Sequence, residues 1–291
     1  KDEVVAQLLD EEGLDGTSIV EQTKDQSIKD ELFARTDEAV KKGLFGVPTF
    51  FVEDSMFWGQ DRIRFVSEAL TSRREPPQTP PPFAPGTKVD FYFDYSSPYS
   101  YLGASRATSI LGTEINWKPF LLGGLFKAVG TANVPLFEAS EAKRKHLFLD
   151  CHRGALEANV PLQWPTQFPM NTVLALRVTI LAGSGNTPES QALVHAIYQA
   201  YWSENKNIMD PQIIEDLCNQ VGLDGPDLVA RANEAENKEA LKKNTAEAAA
   251  DGAFGAPTTI VQNAQGRKAL YWGNDRLEMA ALAASGQEDL F

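Results

Sequence analysis

The sequence predicts an α/β protein in which a small sheet is interrupted by a long helical block. Three observations carry this. An apolar run from Val89 to Phe93 ends at Asp94-Tyr95-Ser96-Ser97 and gives way to a helix-compatible stretch at Pro98. Apolar positions at helical spacing then recur between Glu141 and Ala250. Beyond them the pattern becomes that of short strands, at Pro257 to Val261 and Lys268 to Trp272, followed by a closing helix from Asp275 to Ala284.

The elements follow in order. Val89 to Phe93 reads as a buried strand, and Ser97-Pro98 is the grammar of a helix start. The hydroxyl caps free amides and proline fits the first helical position of a segment reaching Leu111. Ile115 to Leu121 is the second strand. The helical block comprises Glu141 to Ala158, Thr172 to Ala182, Glu189 to Trp202, Pro211 to Val221 and Lys238 to Ala250. The order is therefore β-α-β, helices, β-β-α. A group held at Ser97 sits at the end of a strand on the positive end of a helix dipole, where a thiolate is stabilised. Ser97 is the leading candidate for the centre of a site.

Composition narrows the partners. The 291 residues are 43% hydrophobic and 23% charged, ordinary for a globular chain with one or two cores. No apolar run approaches the roughly 20 residues that span a bilayer. A net charge of -13 argues against nucleic acid or an anionic membrane surface, though not against an anionic small molecule. Cys151 and Cys218 lie far apart and form no CxxC, which suits a reducing, cytoplasmic setting, or an organelle if the source is eukaryotic.

The chain also matches itself. Gly13-Leu14-Asp15-Gly16 repeats at Gly222-Leu223-Asp224-Gly225, and Gly43-Leu44-Phe45-Gly46-Val47-Pro48-Thr49 at Gly252-Ala253-Phe254-Gly255-Ala256-Pro257-Thr258, both 209 positions on. Trp58-Gly59-Gln60-Asp61-Arg62 matches Trp272-Gly273-Asn274-Asp275-Arg276 at 214, so five extra residues fit a longer hairpin turn around Asn263 to Arg267. A register held this long is expected from a tandem duplication whose first copy, residues 1–72, is only the C-terminal part of the unit. Residues 73–87 (RREPPQTPPPFAPGT) form a Pro-rich linker, and residues 88–291 a complete copy. The first copy holds nothing equivalent to Val89 to Pro98. We therefore expect the natural protein to extend upstream with the missing strand, serine turn and helices.

FYFDYSSPYSYLG, KPFLLGGLFKAVG, FGAPT and YWGNDRL, in this order and spacing, resemble the 2-hydroxychromene-2-carboxylate isomerase and kappa-class glutathione transferase family. The resemblance covers Lys88 to Leu282, and residues 1–70 resemble the second half of the same domain. It implies a thioredoxin-like βαβ…ββα fold, from residues 88–121 and 252–286, with an all-helical domain inserted at 122–251.

The resemblance also implies glutathione as cofactor and a role for each matching residue. Ser97 corresponds to the serine that hydrogen-bonds the glutathione sulfur. Pro257 falls where the fold keeps a cis-proline, which aims the backbone of Ala256 at the tripeptide. Asn274 and Asp275 match residues that grip the γ-glutamyl end. Asn133 and Lys143 match contacts to the glycyl end, although Thr131-Ala132 departs from the family pattern and Lys143 to Lys145 also reads as a solvated helix face. Trp164, Phe168, Met170 and Asn171 resemble the wall against which a second substrate packs.

The function so implied is that of an enzyme, a glutathione-dependent isomerase of aromatic-degradation intermediates. The thiolate adds to a conjugated carbon, rotation ensues, and elimination returns glutathione. A kappa-class transferase, conjugating electrophiles or reducing peroxides, uses the same residues, and the sequence leaves both open. A non-catalytic binding protein on this fold is the alternative of another class. Thiol-disulfide exchange is disfavoured, because Ser96-Ser97-Pro98-Tyr99 stands where a CxxC would be. His146, Cys151 and His152 share a helix but lack a closing pair for a metal. Family members resemble one another in being homodimers, so a dimer or an intramolecular pseudo-dimer is expected, with glutathione and a small conjugated or electrophilic molecule as partners.

Overall fold

The computed structural model describes residues 1–73, 81–131, 135–287 and 291. They form two compact units, Lys1–Arg73 with Ser140–His146, and Arg74–Ala139 with Leu147–Phe291.

The first unit runs α1 (Asp2–Glu11), α2 (Gly16–Gln22), α3 (Gln26–Lys41), β1 (Thr49–Val52), β2 (Ser55–Trp58) and α4 (Ile63–Thr71). β1 and β2 form an antiparallel hairpin and a sheet of their own. Asp15 caps α2 by accepting from the Ser18 amide at 2.9 Å. Gly16 is required there, because a methyl group on it would run into the Ala6 carbonyl.

The second unit begins with β3 (Lys88–Phe93), α5 (Pro98–Leu111), β4 (Asn116–Pro119), α6 (Leu122–Val129) and α7 (Pro135–Glu138). Next come α8 (Glu141–Ala158), whose start through His146 groups with the first unit, α9 (Val173–Leu181), α10 (Pro188–Trp202), α11 (Pro211–Gln220), α12 (Gly225–Arg231) and α13 (Ala235–Ala250). β5 (Thr258–Gln262), β6 (Lys268–Trp272) and α14 (Leu277–Ala284) close the chain. The sheet order is β4-β3-β5-β6. β3 pairs parallel with β4 (Phe91 opposite Trp117) and antiparallel with β5 (Phe91 opposite Thr259).

β3 is a nearly unbroken apolar run because both its faces are covered. Phe91 and Phe93 point into the main core with Trp117, Leu176 and Tyr198, while Tyr92 packs on the other face with Phe120 and Ile260. The predicted strand at Ile115 to Leu121 is shorter than expected, and it gives way at once to a helix. The glycines of LLGGLFKAVG disguise α6, which is fixed from outside itself: the Leu121 amide donates to Thr245 Oγ1 at 3.0 Å and the Leu122 amide to Asp94 Oδ2 at 2.7 Å. The short α12, capped by Asp224, was not expected either.

Residues at the repeat spacing share secondary structure and differ in burial. Val5 is 50% exposed where Ile214 is fully buried, Leu32 66% where Leu241 is 3%, and Phe51 42% where Ile260 is 3%. In the second unit α11 packs on α9 and α10, α13 on α9, and β5 on β3. Residues 1–73 contain no counterpart of β3, α5, α9 or α10.

Candidate active site

Ser97 ends the loop after β3 and is the N-cap of α5, with Pro98 at the first helical turn. Its Oγ accepts from the Ser100 amide at 3.1 Å and donates to the Ala256 carbonyl at 2.9 Å. The second bond joins residues distant in sequence: Ala256 precedes Pro257, across a cis peptide, just before β5. The close approach depends on Gly103, the last residue of FYFDYSSPYSYLG: a methyl group there would lie 2.9 Å from Pro257 Cγ.

The turn is held from beneath by Asp94, which is 1% exposed. Its carboxylate accepts from the Ser96 amide (3.0 Å), the Thr172 hydroxyl (2.7 Å) and the Leu122 amide (2.7 Å), so one side chain ties the serine turn to the starts of α6 and α9. Burial outweighs these donors and pushes the Asp94 carboxyl above the ordinary carboxylate range. Two residues of α10 secure the backbone of the same loop: the Tyr198 hydroxyl donates to the Asp94 carbonyl at 3.2 Å and Trp202 Nε1 to the Tyr95 carbonyl at 2.8 Å. Neither Asp94 nor this pair stood out in the sequence, where the aspartate read only as the end of a strand. The clue was present in the pattern, since a carboxylate directly after a buried strand needs several donors.

Asn274 and Asp275 open the turn before α14. Asn274 is buried, and its carbonyl accepts from Arg106 Nη1 of α5 at 3.3 Å. The same guanidinium reaches Glu157 of α8 at 3.4 Å and Glu278 of α14 at 2.5 Å. Asp275 folds back over Gly273, whose φ of 107° and lack of a side chain make room for the carboxylate. Trp164 and Phe168 join an aromatic cluster on Trp202, with ring centroids 5.3 and 5.9 Å away. Met170 is buried, and its amide donates to the Tyr201 hydroxyl at 3.2 Å. Asn171 Oδ1 accepts from the Val173 amide at 2.9 Å, at the start of α9.

The second unit thus gathers Ser97, Ala256 and Pro257 directly, and fastens Asn274 to the same helix through Arg106. Lys143 belongs to the first unit, its Nζ 5.8 Å from the centroid of the Trp58 ring. Asn133 lies outside the described residues. Cys151 and Cys218 are both buried and form no disulfide, and burial pushes Cys218 up to about 11. Among the described residues no group of three His, Cys, Asp or Glu side chains is placed to hold a metal ion, and no helix is long and apolar enough to cross a membrane.

A four-stranded mixed sheet, a capped helix after its first strand and a cis-proline facing that cap define a thioredoxin-type domain. The chain belongs to the family of the DSBA-like thioredoxin domain, whose family model matches residues 1–71 and 88–284. It is 28% identical over 193 residues to a 2-hydroxychromene-2-carboxylate isomerase of Sphingobium xenophagum, a match covering 65% of this chain and 94% of that one. It is 27% identical over 203 residues to glutathione S-transferase kappa 2 of Caenorhabditis elegans, covering 66% and 89%. Among solved structures, a selenomethionine 2-hydroxychromene-2-carboxylate isomerase shares the fold with a TM-score of 0.58 at 24% identity, covering 67% of this chain and 93% of that one. A probable DsbA oxidoreductase from Streptomyces coelicolor does so with a TM-score of 0.56 at 18% identity, covering 69% and 91%.

Proposed function

We propose that the protein is a glutathione-dependent isomerase of the 2-hydroxychromene-2-carboxylate type, acting on conjugated products of aromatic-ring cleavage. The observation that carries this is the serine hydroxyl at the first turn of α5, 2.9 Å from the carbonyl that precedes a cis-proline. That pairing fits a thiol-bearing tripeptide. Ala256 offers a strand-like carbonyl for a peptide N–H, and Ser97 offers a hydroxyl and a helix N-terminus for the sulfur. When held by these residues, glutathione would supply a nucleophilic thiolate for reversible addition to a conjugated carbon.

The chain's own residues have three tasks in this reading. Ser97 turns its O–H from the Ala256 carbonyl toward the sulfur and favours the ionised form, while a ligand N–H takes over the vacated carbonyl. Asp94 keeps the turn in place. Asn274 and Asp275 receive the γ-glutamyl end, the carboxylate matching an ammonium, and the aromatic cluster on Trp202 forms the apolar wall for the second substrate. Asn133 remains the proposed contact for the glycyl end.

The test is glutathione-dependent interconversion of 2-hydroxychromene-2-carboxylate and its ring-opened isomer. Full activity without glutathione, or in Ser97→Ala, removes this mechanism. The second reading, a kappa-class transferase, is favoured by the similarity to kappa-class enzymes and is reached if 1-chloro-2,4-dinitrobenzene is conjugated while the chromene is untouched. If neither substrate reacts and glutathione does not stabilise the protein, the fold serves as a non-catalytic binding protein.

We further propose that residues 1–72 are the C-terminal part of a second such domain, joined by a linker at 73–87 to the complete copy at 88–291. Support comes from the shared order of helices and hairpin, from two cis-prolines at the repeat spacing (Pro48 and Pro257) and from the contrast in burial between matching positions. A dimer or an intramolecular pseudo-dimer, and a cytoplasmic setting (or an organelle in a eukaryote), belong to the same reading.

A further inference from the structure

A cleft of about 350 Å³ lies between α6, α9 and α13, distinct from the serine turn. It is lined by the apolar Leu121, Val173 and Leu241 together with the basic Arg177, Lys238 and Lys242. The volume is at the lower end of the about 300–1,000 Å³ usual for small-molecule sites.

The charges are the informative part. The protein has 40 acidic residues against 27 basic ones, yet no carboxylate lines this cleft. Lys242 is paired with Glu239 at 2.6 Å. Arg177 bonds only a neutral group, its Nη1 donating to Asn233 Oδ1 at 2.8 Å, and neither it nor Lys238 meets a carboxylate among the described residues. Long basic side chains often lie along apolar surface with their heads in water. Arg177 is held more firmly than that: its Nε is enclosed, which fixes the guanidinium beside the cleft.

We propose that this cleft binds a small amphipathic carboxylate, with an apolar body of one or two rings on Leu121, Val173 and Leu241 and its anionic head on Arg177 and Lys238. The site is independent of glutathione at Ser97.

The probe is 1-naphthoate, titrated calorimetrically into the full chain, with uncharged 1-naphthamide as the control. Saturable naphthoate binding is expected, with the amide weaker by about tenfold or more, as the loss of a charge-assisted hydrogen bond dictates. Arg177→Gln and Lys238→Gln should each weaken naphthoate by a similar factor and leave the amide unaffected. Ala128→Trp, which fills the cleft from an exposed position, should abolish binding and leave glutathione-induced thermal stabilisation unchanged. Absence of naphthoate binding overturns the proposal, as does equal affinity for acid and amide or full affinity in Ala128→Trp.

Discussion

Replacing Ser97 with alanine should raise the thiol pKa of bound glutathione by about one unit, and the structure explains why the shift is no larger. In the free protein the hydroxyl is already engaged, donating to the Ala256 carbonyl at 2.9 Å and accepting from the Ser100 amide at 3.1 Å. Turning to a thiolate therefore exchanges a neutral hydrogen bond, worth about 0.5–1.5 kcal/mol net, for a charge-assisted one worth about 1.5–3 kcal/mol. The gain is about 1–1.5 kcal/mol, and one pKa unit corresponds to about 1.4 kcal/mol. The helix terminus survives the substitution, and the Ser100 amide loses only its side-chain acceptor there. The rest of the depression below the usual thiol pKa of about 8.5 should persist.

The assay is a pH titration of thiolate ultraviolet absorbance at saturating glutathione, comparing the wild type, Ser97→Ala and Ser97→Thr. Threonine keeps both the hydroxyl and the cap, and should titrate like the wild type. An unmoved pKa in the alanine variant, or the same shift in both variants, refutes the assignment of Ser97. Denaturant unfolding separates the cap from the chemistry: the lost N-cap alone should cost about 1 kcal/mol.

Three further outcomes rest on the packing. Asp94 has a folded-state pKa above its unfolded value of about 3.9, so it holds its proton more tightly when folded. Its ionised form opposes folding above that raised pKa, and the penalty fades as pH falls through it. The stability of the wild type relative to Asp94→Asn should accordingly grow on acidification, by at most about 1.4 kcal/mol per pH unit, and a pH-independent difference in chemical denaturation contradicts this. Gly103→Ala gains helix propensity of up to about 1 kcal/mol but sets a methyl 2.9 Å from Pro257 Cγ, so the net effect should be destabilisation and weaker glutathione binding; unchanged calorimetric affinity would show that the Pro257 loop yields freely. Leu241→Ala should cost about 2–5 kcal/mol, while its counterpart Leu32→Ala, lying exposed, should cost less than about 0.5 kcal/mol, and equal losses in thermal unfolding would mean that α3 is covered.

Much of the site could be read before the structure because its grammar is local. Ser-Pro after an apolar strand states a capped helix within a few residues, and α5 and α8 have the predicted bounds. What escaped is the part whose cause is remote. α6 has two glycines in its first turn and owes its start to acceptors on Asp94 and Thr245. Gly103 reads as an ordinary helix weakness until Pro257, far along the chain, is seen against it. Asp94 acquires meaning only when Thr172 and Leu122 arrive. A one-dimensional pattern states which groups need partners, but not which distant residues supply them.

The two units sharpen the same point. Leu32 and Leu241 occupy the same position of two helices related by the repeat spacing, yet one is 66% exposed and the other 3%. Periodicity therefore identifies a face that is able to be buried, and burial itself is conferred by β3, α5, α9 and α10, which residues 1–73 do not contain. The same reasoning separates the two ends of the Ser97 site. The hairpin supplies a cis-proline in either unit, at Pro48 and at Pro257. Among the described residues, only the second unit adds the strand and helix that bring a hydroxyl to it, so the proposed chemistry is assigned to residues 88–291.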